Sequence, residues 1–241
     1  MSVLAKVAWH DVECGSYTAD LALWRRLAIV AAGPVLEVGA GTGRVALRLA
    51  AAGHEVTALD RDGELLAELT RRAAAEDVRV ETVVEDAADF ALPRRFMLIA
   101  VPMQTIQLLP DAGARAGFLA SAAAALLPGG RVALAITDAL EAFDDRTALP
   151  LPDLAEHDGL QYVSQPVAVR EQPGAVRIER IRQIVAPGGR HSSEDDVIVL
   201  RTLDAETLAA EAAPHGLRAE EPLRIPPTDE HVGSAVVMLR G

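Results

Sequence analysis

The sequence is poor in cysteine and contains no long apolar run. The single cysteine, Cys14, forms neither an intrachain disulfide nor a cysteine-based zinc site, which favours a reducing, cytoplasmic location. No apolar run approaches the roughly 18 to 20 residues of a membrane span. Asp11 and Glu13 lie where a signal peptide needs its apolar core. We therefore expect a cytoplasmic protein with no membrane partner.

Basic residues are scarce relative to acidic ones. The 23 lysines and arginines face 35 aspartates and glutamates, which gives a net charge of −12. A field of this sign repels phosphate backbones and anionic lipid, and it argues against nucleic acid as a partner. Histidine and carboxylate residues show no metal-ligand spacing, so we expect no metal. The 241 residues, half of them apolar, are typical of a globular enzyme with a large core.

Strand-like and helix-like segments alternate, with short links, between Pro34 and Ile136. Several of these strands are almost wholly apolar, which is typical of a parallel sheet with helices on both faces. With right-handed crossovers, the pattern predicts an α/β fold with a doubly wound, Rossmann-like sheet. Apolar residues at helical spacing around Trp24 indicate that residues 1–33 form an N-terminal lead-in helix.

The pattern changes after residue 138. The stretch 143–158, rich in Asp and Pro, indicates a loop, and strand-like segments then follow without helices, at about 160–170, 176–185 and 196–201. We interpret 144–201 as an antiparallel β meander inserted into a domain that spans residues 34–241. Because ligands bind at the carboxyl ends of parallel strands, the insertion is expected to cover a ligand pocket or to form a homodimer. The alternative is that it only lengthens the fold.

A glycine-rich loop carries the most specific signal in the chain. Residues 35–44, Val-Leu-Glu-Val-Gly-Ala-Gly-Thr-Gly-Arg, lie between a predicted strand and a predicted helix. Glycines there let the backbone turn sharply and let a ligand contact the main chain. The dinucleotide fingerprint needs its third glycine three residues after the second. Here Gly43 follows Gly41 by two, and Arg44 stands at the dinucleotide position, so an NAD-dependent oxidoreductase is the weaker alternative.

This spacing, with Glu37 just before the glycines, resembles motif I of the class I S-adenosylmethionine-dependent methyltransferases. A carboxylate at that strand end would repel a pyrophosphate but suits the cationic amino group of a methionine moiety. Asp60 ends the second strand, where an acid can accept hydrogen bonds from ribose hydroxyls. Asp86 follows the third strand, where members of the family have an aspartate that accepts a hydrogen bond from the adenine amino group. The resemblance covers about residues 33–138.

The resemblance implies S-adenosylmethionine as cofactor and S-adenosylhomocysteine as product. The cofactor-binding residues that it implies are Tyr17, Glu37, Gly39, Ala40, Gly41, Thr42, Gly43, Asp60, Arg61, Leu65, Asp86, Ala87, Val101 and Pro102. The candidates for acceptor binding are His10, Met103, Gln104 and Asp138. No catalytic base is assigned, because the sulfonium methyl is already activated and its transfer needs mainly in-line positioning and exclusion of water.

The loop after the fourth strand separates the subclasses of methyltransferase. Its residues 101–104, Val-Pro-Met-Gln, differ from the Asn/Asp-Pro-Pro-aromatic tetrapeptide of enzymes that methylate amino groups of DNA. Cys14 lies outside any loop suited to the nucleophile of base C5 methylation. The resemblance therefore implies a methyltransferase of EC class 2.1.1 with a small-molecule acceptor, methylated on oxygen, nitrogen, sulfur or carbon. A non-catalytic protein that only binds S-adenosylmethionine is the main alternative.

Overall fold

The computed structural model describes residues 3–137, 140–144, 149–228 and 231–241. They divide into a smaller unit, from segments 1–18 and 139–202, and a larger unit, from 19–138 and 203–241. The strands in chain order are β1 (Val35–Val38), β2 (Val56–Asp60), β3 (Val80–Val84), β4 (Phe96–Val101), β5 (Leu126–Ile136), β6 (Asp153–His157), β7 (Leu160–Gln172), β8 (Ala175–Val185), β9 (His191–Arg201), β10 (Arg218–Ala219), β11 (Leu223–Ile225) and β12 (Ser234–Arg240). The α-helices are α1 (Val3–His10), α2 (Leu21–Ala31), α3 (Ala46–Ala51), α4 (Gly63–Ala75), α5 (Ala112–Ala125) and α6 (Ala205–Ala212).

The larger unit contains an eight-stranded sheet in the order β10-β12-β5-β4-β1-β2-β3, with β11 paired to β12. The first five strands run parallel, and β12 lies antiparallel to β5. Strand β1 has β2 on one side and β4 on the other, so the direction of winding reverses beside it. Such a reversal leaves a crevice at the carboxyl ends of the strands, where ligands bind in this class of sheet. The predicted doubly wound α/β sheet is confirmed.

The strands and helices of the larger unit form because the strands are mainly apolar and the helices have capping residues. All four residues of β1 are buried. The core cluster joins the strands to α5 and α6 through side chains such as Leu36, Phe118 and Leu208, none of which is exposed. Burial of each large apolar side chain stabilises the fold by about 1.5–3 kcal/mol. Helix α4 begins where the Asp62 carboxylate accepts from the N–H groups of Glu64 and Leu65.

The smaller unit contains the antiparallel sheet β6-β7-β8-β9. Helix α1 continues into a π-helical turn, Asp11–Gly15, and Trp9 and Val12 pack with Tyr162 of β7. The Glu13 carboxylate accepts two bonds of 2.7 Å from Arg182 and one of 2.9 Å from Ser164 Oγ. These bonds fasten the π-helical turn to the sheet. The predicted antiparallel meander is therefore present as a sheet of its own.

Some element boundaries differ from the sequence-based expectation. Strand β6 lies within the stretch 143–158, for which the sequence predicts a loop. Its Asp, Glu and His residues hide the alternation typical of a strand, and the strand forms because it pairs with β7. Strand β5 begins at Leu126, whose backbone pairs with Phe96 of β4 across a register shift. Residues 3–10 form a helix separate from α2. Within the described ranges, no helix combines the length and apolar character that a membrane crossing requires.

Candidate active site

The glycine loop 39–43 leaves β1 at the carboxyl edge of the sheet. Gly39, Gly41 and Gly43 have φ angles of +75°, +53° and +94°, a region that residues with a Cβ atom rarely adopt. A Cβ atom on Gly39 would lie 2.5 Å from Thr105 Cγ2, and one on Gly43 would lie 2.7 Å from Leu69 Cγ. The loop therefore approaches both the turn after β4 and helix α4 more closely than any other residue type allows.

Asp60, at the end of β2, holds the same loop from the other side. Its Oδ2 accepts from the N–H of Gly41 at 2.8 Å, and its Oδ1 accepts from the N–H of Asp62 at 2.9 Å. The Gly39 N–H donates to the Leu59 carbonyl at 2.9 Å. A carboxylate oxygen accepts more than one hydrogen bond, so half-buried Asp60 retains acceptor capacity for a hydroxyl.

Glu37 lies buried in β1, directly before the loop, and only 2% of its surface is exposed. Among the described residues, none donates a hydrogen bond to its Oε2. Burial raises the pKa of Glu37 from 4.5 to about 8. The charge of Arg44 and a hydrogen bond from the Ala46 backbone lower this pKa, whereas the charges of Asp20 and Asp60 raise it. The strand thus keeps at its end an acid that is neutral at pH 7 and has one unsatisfied oxygen.

Arg44 and Asp20 form an ion pair that sequence reasoning did not reveal. The Arg44 guanidinium donates to the two Asp20 oxygens at 2.6 and 2.7 Å, and Trp24 Nε1 donates to Oδ2 of Asp20 at 2.8 Å. Asp20 is fully buried. The arginine that ends the glycine motif is therefore directed to the start of α2. A buried cation needs an acidic partner, but only the fold shows which aspartate provides it.

The end of β4 and the turn after it contain two buried residues followed by two half-buried ones. Val101 and Pro102 are buried, and Met103 and Gln104 are half-buried. Met103 has a φ of +53° although it carries a side chain. Such left-handed strain concentrates at functional sites. The turn is held locally, because Thr105 Oγ1 donates to the Pro102 carbonyl at 2.9 Å.

A buried glutamine links this turn to the end of β5 and was also missed by sequence reasoning. Gln107 Nε2 donates to the Thr137 carbonyl at 3.0 Å, and its Oε1 accepts from the Thr137 N–H at 2.8 Å. Gln107 is 2% exposed. The two reciprocal bonds fix the carboxyl ends of β4 and β5 relative to each other. Its position in a short apolar segment gave no signal for this role.

The remaining residues implied by the resemblance are more exposed or lie elsewhere. Asp86 is exposed and its Oδ1 accepts from the Ala88 N–H at 2.8 Å. Further buried members of the set are Ala40, Thr42 and Leu65, whereas Ala87 is half-buried and Arg61 is exposed. Tyr17, buried, and His10, half-buried, belong to the smaller unit. Asp138 lies outside the described residues.

Two further features bear on where a ligand binds. A surface cavity of about 410 Å³ lies between α2 and α3, and its lining includes Leu21, Trp24 and Leu49. None of the glycine-loop residues or strand-end carboxylates lines it, so we place no site there. In the part of the chain that the structure describes, no group of three or more His, Cys, Asp and Glu residues could hold a metal ion.

The unusual protonation of Glu37 makes a prediction about stability. Because its folded pKa is above the ordinary 4.5, the folded state binds more protons than the unfolded state between pH 4.5 and 8. The free energy of unfolding should therefore fall as pH rises through that range. Glu37→Gln mimics the neutral acid, so we expect it to remove this slope and to stabilise the cofactor-free protein by about 3 kcal/mol at pH 7. Urea unfolding at several pH values measures this.

Glu68→Gln is the matched control for this prediction. Glu68 of α4 accepts from Arg71 and Arg72 at 2.7–2.8 Å, and these contacts lower its pKa to about 2. Its contribution to stability is present above pH 4.5 and is lost as pH falls through 2, the opposite sign to that of Glu37. Glu68→Gln should destabilise the protein at pH 7. If Glu37 were ionised at pH 7, Glu37→Gln would leave the slope between pH 4.5 and 8 unchanged and would not stabilise the protein.

The geometry fits the cofactor that the resemblance implies. The Oε2 of Glu37 offers an unsatisfied acceptor to an ammonium group, and Asp60 offers acceptor capacity to hydroxyls. Between them, Gly39 leaves no room for a Cβ atom beside Thr105, so the loop backbone itself is the surface that a ligand would meet. These three features lie at or just after the ends of the adjacent strands β4, β1 and β2.

Comparisons with known proteins indicate the same class of enzyme. A family model described as "Methyltransferase domain" matches residues 35–130. CalS10, an amino pentose methyltransferase from Micromonospora echinaspora, was solved with bound S-adenosylmethionine. It is 19% identical over 100% of this chain and 97% of that one, with a TM-score of 0.72. The sugar N-methyltransferase KedS8 from Streptoalloteichus sp. ATCC 53650 is 20% identical over 97% of this chain and 91% of that one, with a TM-score of 0.72.

A third solved structure has higher sequence identity. The glycopeptide N-methyltransferase MtfA, in complex with S-adenosylhomocysteine, is 25% identical over 91% of this chain and 86% of its own, with a TM-score of 0.60. A search of curated protein sequences finds no significant match. The fold and the site define an S-adenosylmethionine-dependent methyltransferase. The methyltransferase domain that defines this class spans residues 35–130 of the chain, and the cofactor is S-adenosylmethionine.

Proposed function

We propose that this enzyme transfers the methyl group of S-adenosylmethionine to an amine of a small molecule. The observation that carries the proposal is the glycine loop with buried Glu37 before it and Asp60 across from it. In this proposal Glu37 accepts from the cationic amino group of the cofactor and Asp60 accepts from the ribose hydroxyls. When bound, the cofactor would supply a methyl group that its sulfonium has already activated. The thioether of S-adenosylhomocysteine would be the leaving group.

The other predicted residues complete the proposed cofactor site. Gly39 and Gly41 bring the loop backbone against the ligand, and Leu65 packs on the adenine. Asp86 accepts from the adenine amino group. Val101 and Pro102 line the side from which the acceptor arrives. Contacts with the cofactor or the acceptor stay predictions for Tyr17, His10, Met103, Gln104 and Asp138. The role of the inserted sheet, as a lid or as a homodimer interface, also stays a prediction.

Two observations support an amine acceptor over the other atoms. The three similar structures named above are an amino pentose methyltransferase, a sugar N-methyltransferase and a glycopeptide N-methyltransferase. The chain has a net charge of −12, and a field of this sign attracts cationic amines to the surface. An amine must lose its proton before it attacks, so the acceptor site would need a proton acceptor. The predicted cytoplasmic location stays a prediction.

The test is an acceptor panel in which S-adenosylhomocysteine formation is measured. Amino sugars are compared with the matching neutral sugars and with phenols, each at the same concentration. We expect methyl transfer to amines only, and methylated product at the amine nitrogen by mass spectrometry. Transfer to hydroxyl acceptors alone would overturn the amine proposal. Binding of S-adenosylhomocysteine without turnover on any acceptor would instead favour a non-catalytic cofactor-binding protein.

A further inference from the structure

Three charged groups act electrostatically on the acid at the end of β1. Glu37 is buried, and the charges that act on it are those of Arg44, Asp20 and Asp60; the Ala46 backbone provides the only hydrogen bond among these influences. Arg44 is held by Asp20 through bonds of 2.6 and 2.7 Å, and both side chains are at most 10% exposed. The pair therefore acts on Glu37 with little screening by water.

The geometry leaves Glu37 without a partner that would stabilise its ionised form on both oxygens. Its Oε2 receives no hydrogen bond from the described residues, and the charge of Arg44 is already neutralised by Asp20. A cationic amino group beside Glu37 would supply the missing partner. Ionisation of Glu37 and binding of such a group must then favour each other.

We propose that the buried pair of Asp20 and Arg44 governs the release of a proton from Glu37 when the amino group of the cofactor binds, which couples cofactor affinity to pH. This inference rests on the proposed function, because it assigns the amino group to Glu37. The O–H bond of the Glu37 carboxyl breaks, the proton passes to the buffer, and the carboxylate pairs with the ammonium. Asp20 and Arg44 are positioning residues, since they act through Glu37.

The coupling has a definite sign. Below about pH 8, binding must first remove the Glu37 proton, so affinity rises about tenfold per pH unit and becomes constant above it. At pH 7 about 0.9 protons leave per bound ligand. Removal of the Asp20 charge lowers the midpoint of this profile, because Asp20 disfavours the Glu37 anion. Removal of the Arg44 charge raises the midpoint, because Arg44 favours that anion.

The experiment uses S-adenosylhomocysteine as the probe and isothermal calorimetry from pH 6 to 9 in two buffers of different ionisation enthalpy. We expect Asp20→Asn to lower the midpoint by about one pH unit and Arg44→Gln to raise it by about one. Glu37→Gln should release no proton and should report only the titration of the ligand. Wild-type proton release alone tests the coupling if a variant does not fold.

Glu211→Gln is the matched control for loss of a buried ion pair. Glu211 accepts from Arg115 at 2.7 and 2.5 Å, a pair between α5 and α6 that includes no glycine-loop residue. This variant loses a comparable interaction and should keep the wild-type midpoint. A purely structural role of Asp20 and Arg44 would weaken binding equally at every pH.

The outcomes separate this inference from the proposed function. Midpoints that stay fixed, or that move in the same direction in Asp20→Asn and Arg44→Gln, overturn the coupling. Wild-type binding with no pH dependence and no proton release also overturns it, while the proposed function stands. Failure of the wild-type protein to bind S-adenosylhomocysteine at any pH contradicts the proposed function itself.

Discussion

Gly39→Ala should weaken the binding of S-adenosylhomocysteine by about 100-fold or more while the protein stays folded. The new Cβ atom would lie 2.5 Å from Cγ2 and 2.7 Å from Oγ1 of Thr105. The φ angle of +75° also strains any residue with a side chain. Relief of the clash requires the loop to move away from the turn after β4, which displaces the backbone that the ligand contacts. Equilibrium dialysis measures the affinity, and thermal unfolding confirms the fold.

Gly53→Ala separates local strain from damage to the site. Gly53 has a similar φ of +88° but no atom within 4 Å of its would-be Cβ, and it follows α3 away from the loop. We expect it to lower stability with unchanged affinity. Thr105→Ala removes both of the closest atoms and leaves only Cβ, at 3.2 Å. Addition of Thr105→Ala to Gly39→Ala should therefore restore part of the affinity. No loss of affinity in Gly39→Ala would show that the loop does not form the ligand surface.

Most of the larger unit could be predicted because its signals are local. Parallel strands that are buried on both faces are mainly apolar in the sequence: β4 is wholly apolar, and β1 is apolar apart from Glu37. Asp62 and Asp111 mark helix starts by accepting from nearby N–H groups. The doubly wound arrangement was predicted from the handedness of the crossovers rather than from any contact.

Strand β6 and the packing partner of helix α1 could not be predicted in the same way. Residues 153–157 include Asp, Glu and His, so no apolar alternation distinguishes them from a loop. Pairing with Tyr162 and its neighbours on β7 gives them strand structure. Trp9 packs on Tyr162 at a ring-centroid distance of 5.0 Å, a contact between residues more than 150 positions apart. Tertiary contacts of this kind leave no periodic signal in one sequence.

The candidate site shows the same division. The glycines, Glu37 and Asp60 could be chosen as candidates from the sequence because their spacing and the strand ends fix their places. The partner of Arg44 was not found, since Asp20 lies 24 residues away and is one of many acidic residues. Gln107 and Thr105 were missed because their roles depend on the close approach of two strand ends. The neutral state of Glu37 depends on burial, which no residue pattern reports.

Asp60→Ala should reduce the affinity for S-adenosylhomocysteine by about 100- to 10,000-fold. The proposed site places two hydrogen bonds from ribose hydroxyls on this carboxylate, each about 1.5–3 kcal/mol for a charged acceptor. The substitution also releases the N–H groups of Gly41 and Asp62, which Asp60 holds at 2.8 and 2.9 Å. Asp60→Asn keeps one acceptor oxygen and the shape, so its loss should be intermediate. Calorimetry at pH 8 measures both variants.

A second ligand separates loss of the ribose contact from loosening of the loop. The 2′,3′-dideoxy analogue of S-adenosylhomocysteine lacks the two hydroxyls, so wild type should bind it weakly and Asp60→Ala should weaken it little further. Such non-additivity is the signature of a direct contact. Asp204→Ala is the control, because Asp204 also accepts from a backbone N–H, that of Thr207 at 2.7 Å, but caps α6. Equal losses of both ligands in Asp60→Ala would assign Asp60 to the loop alone, whereas unchanged affinity would remove it from the site.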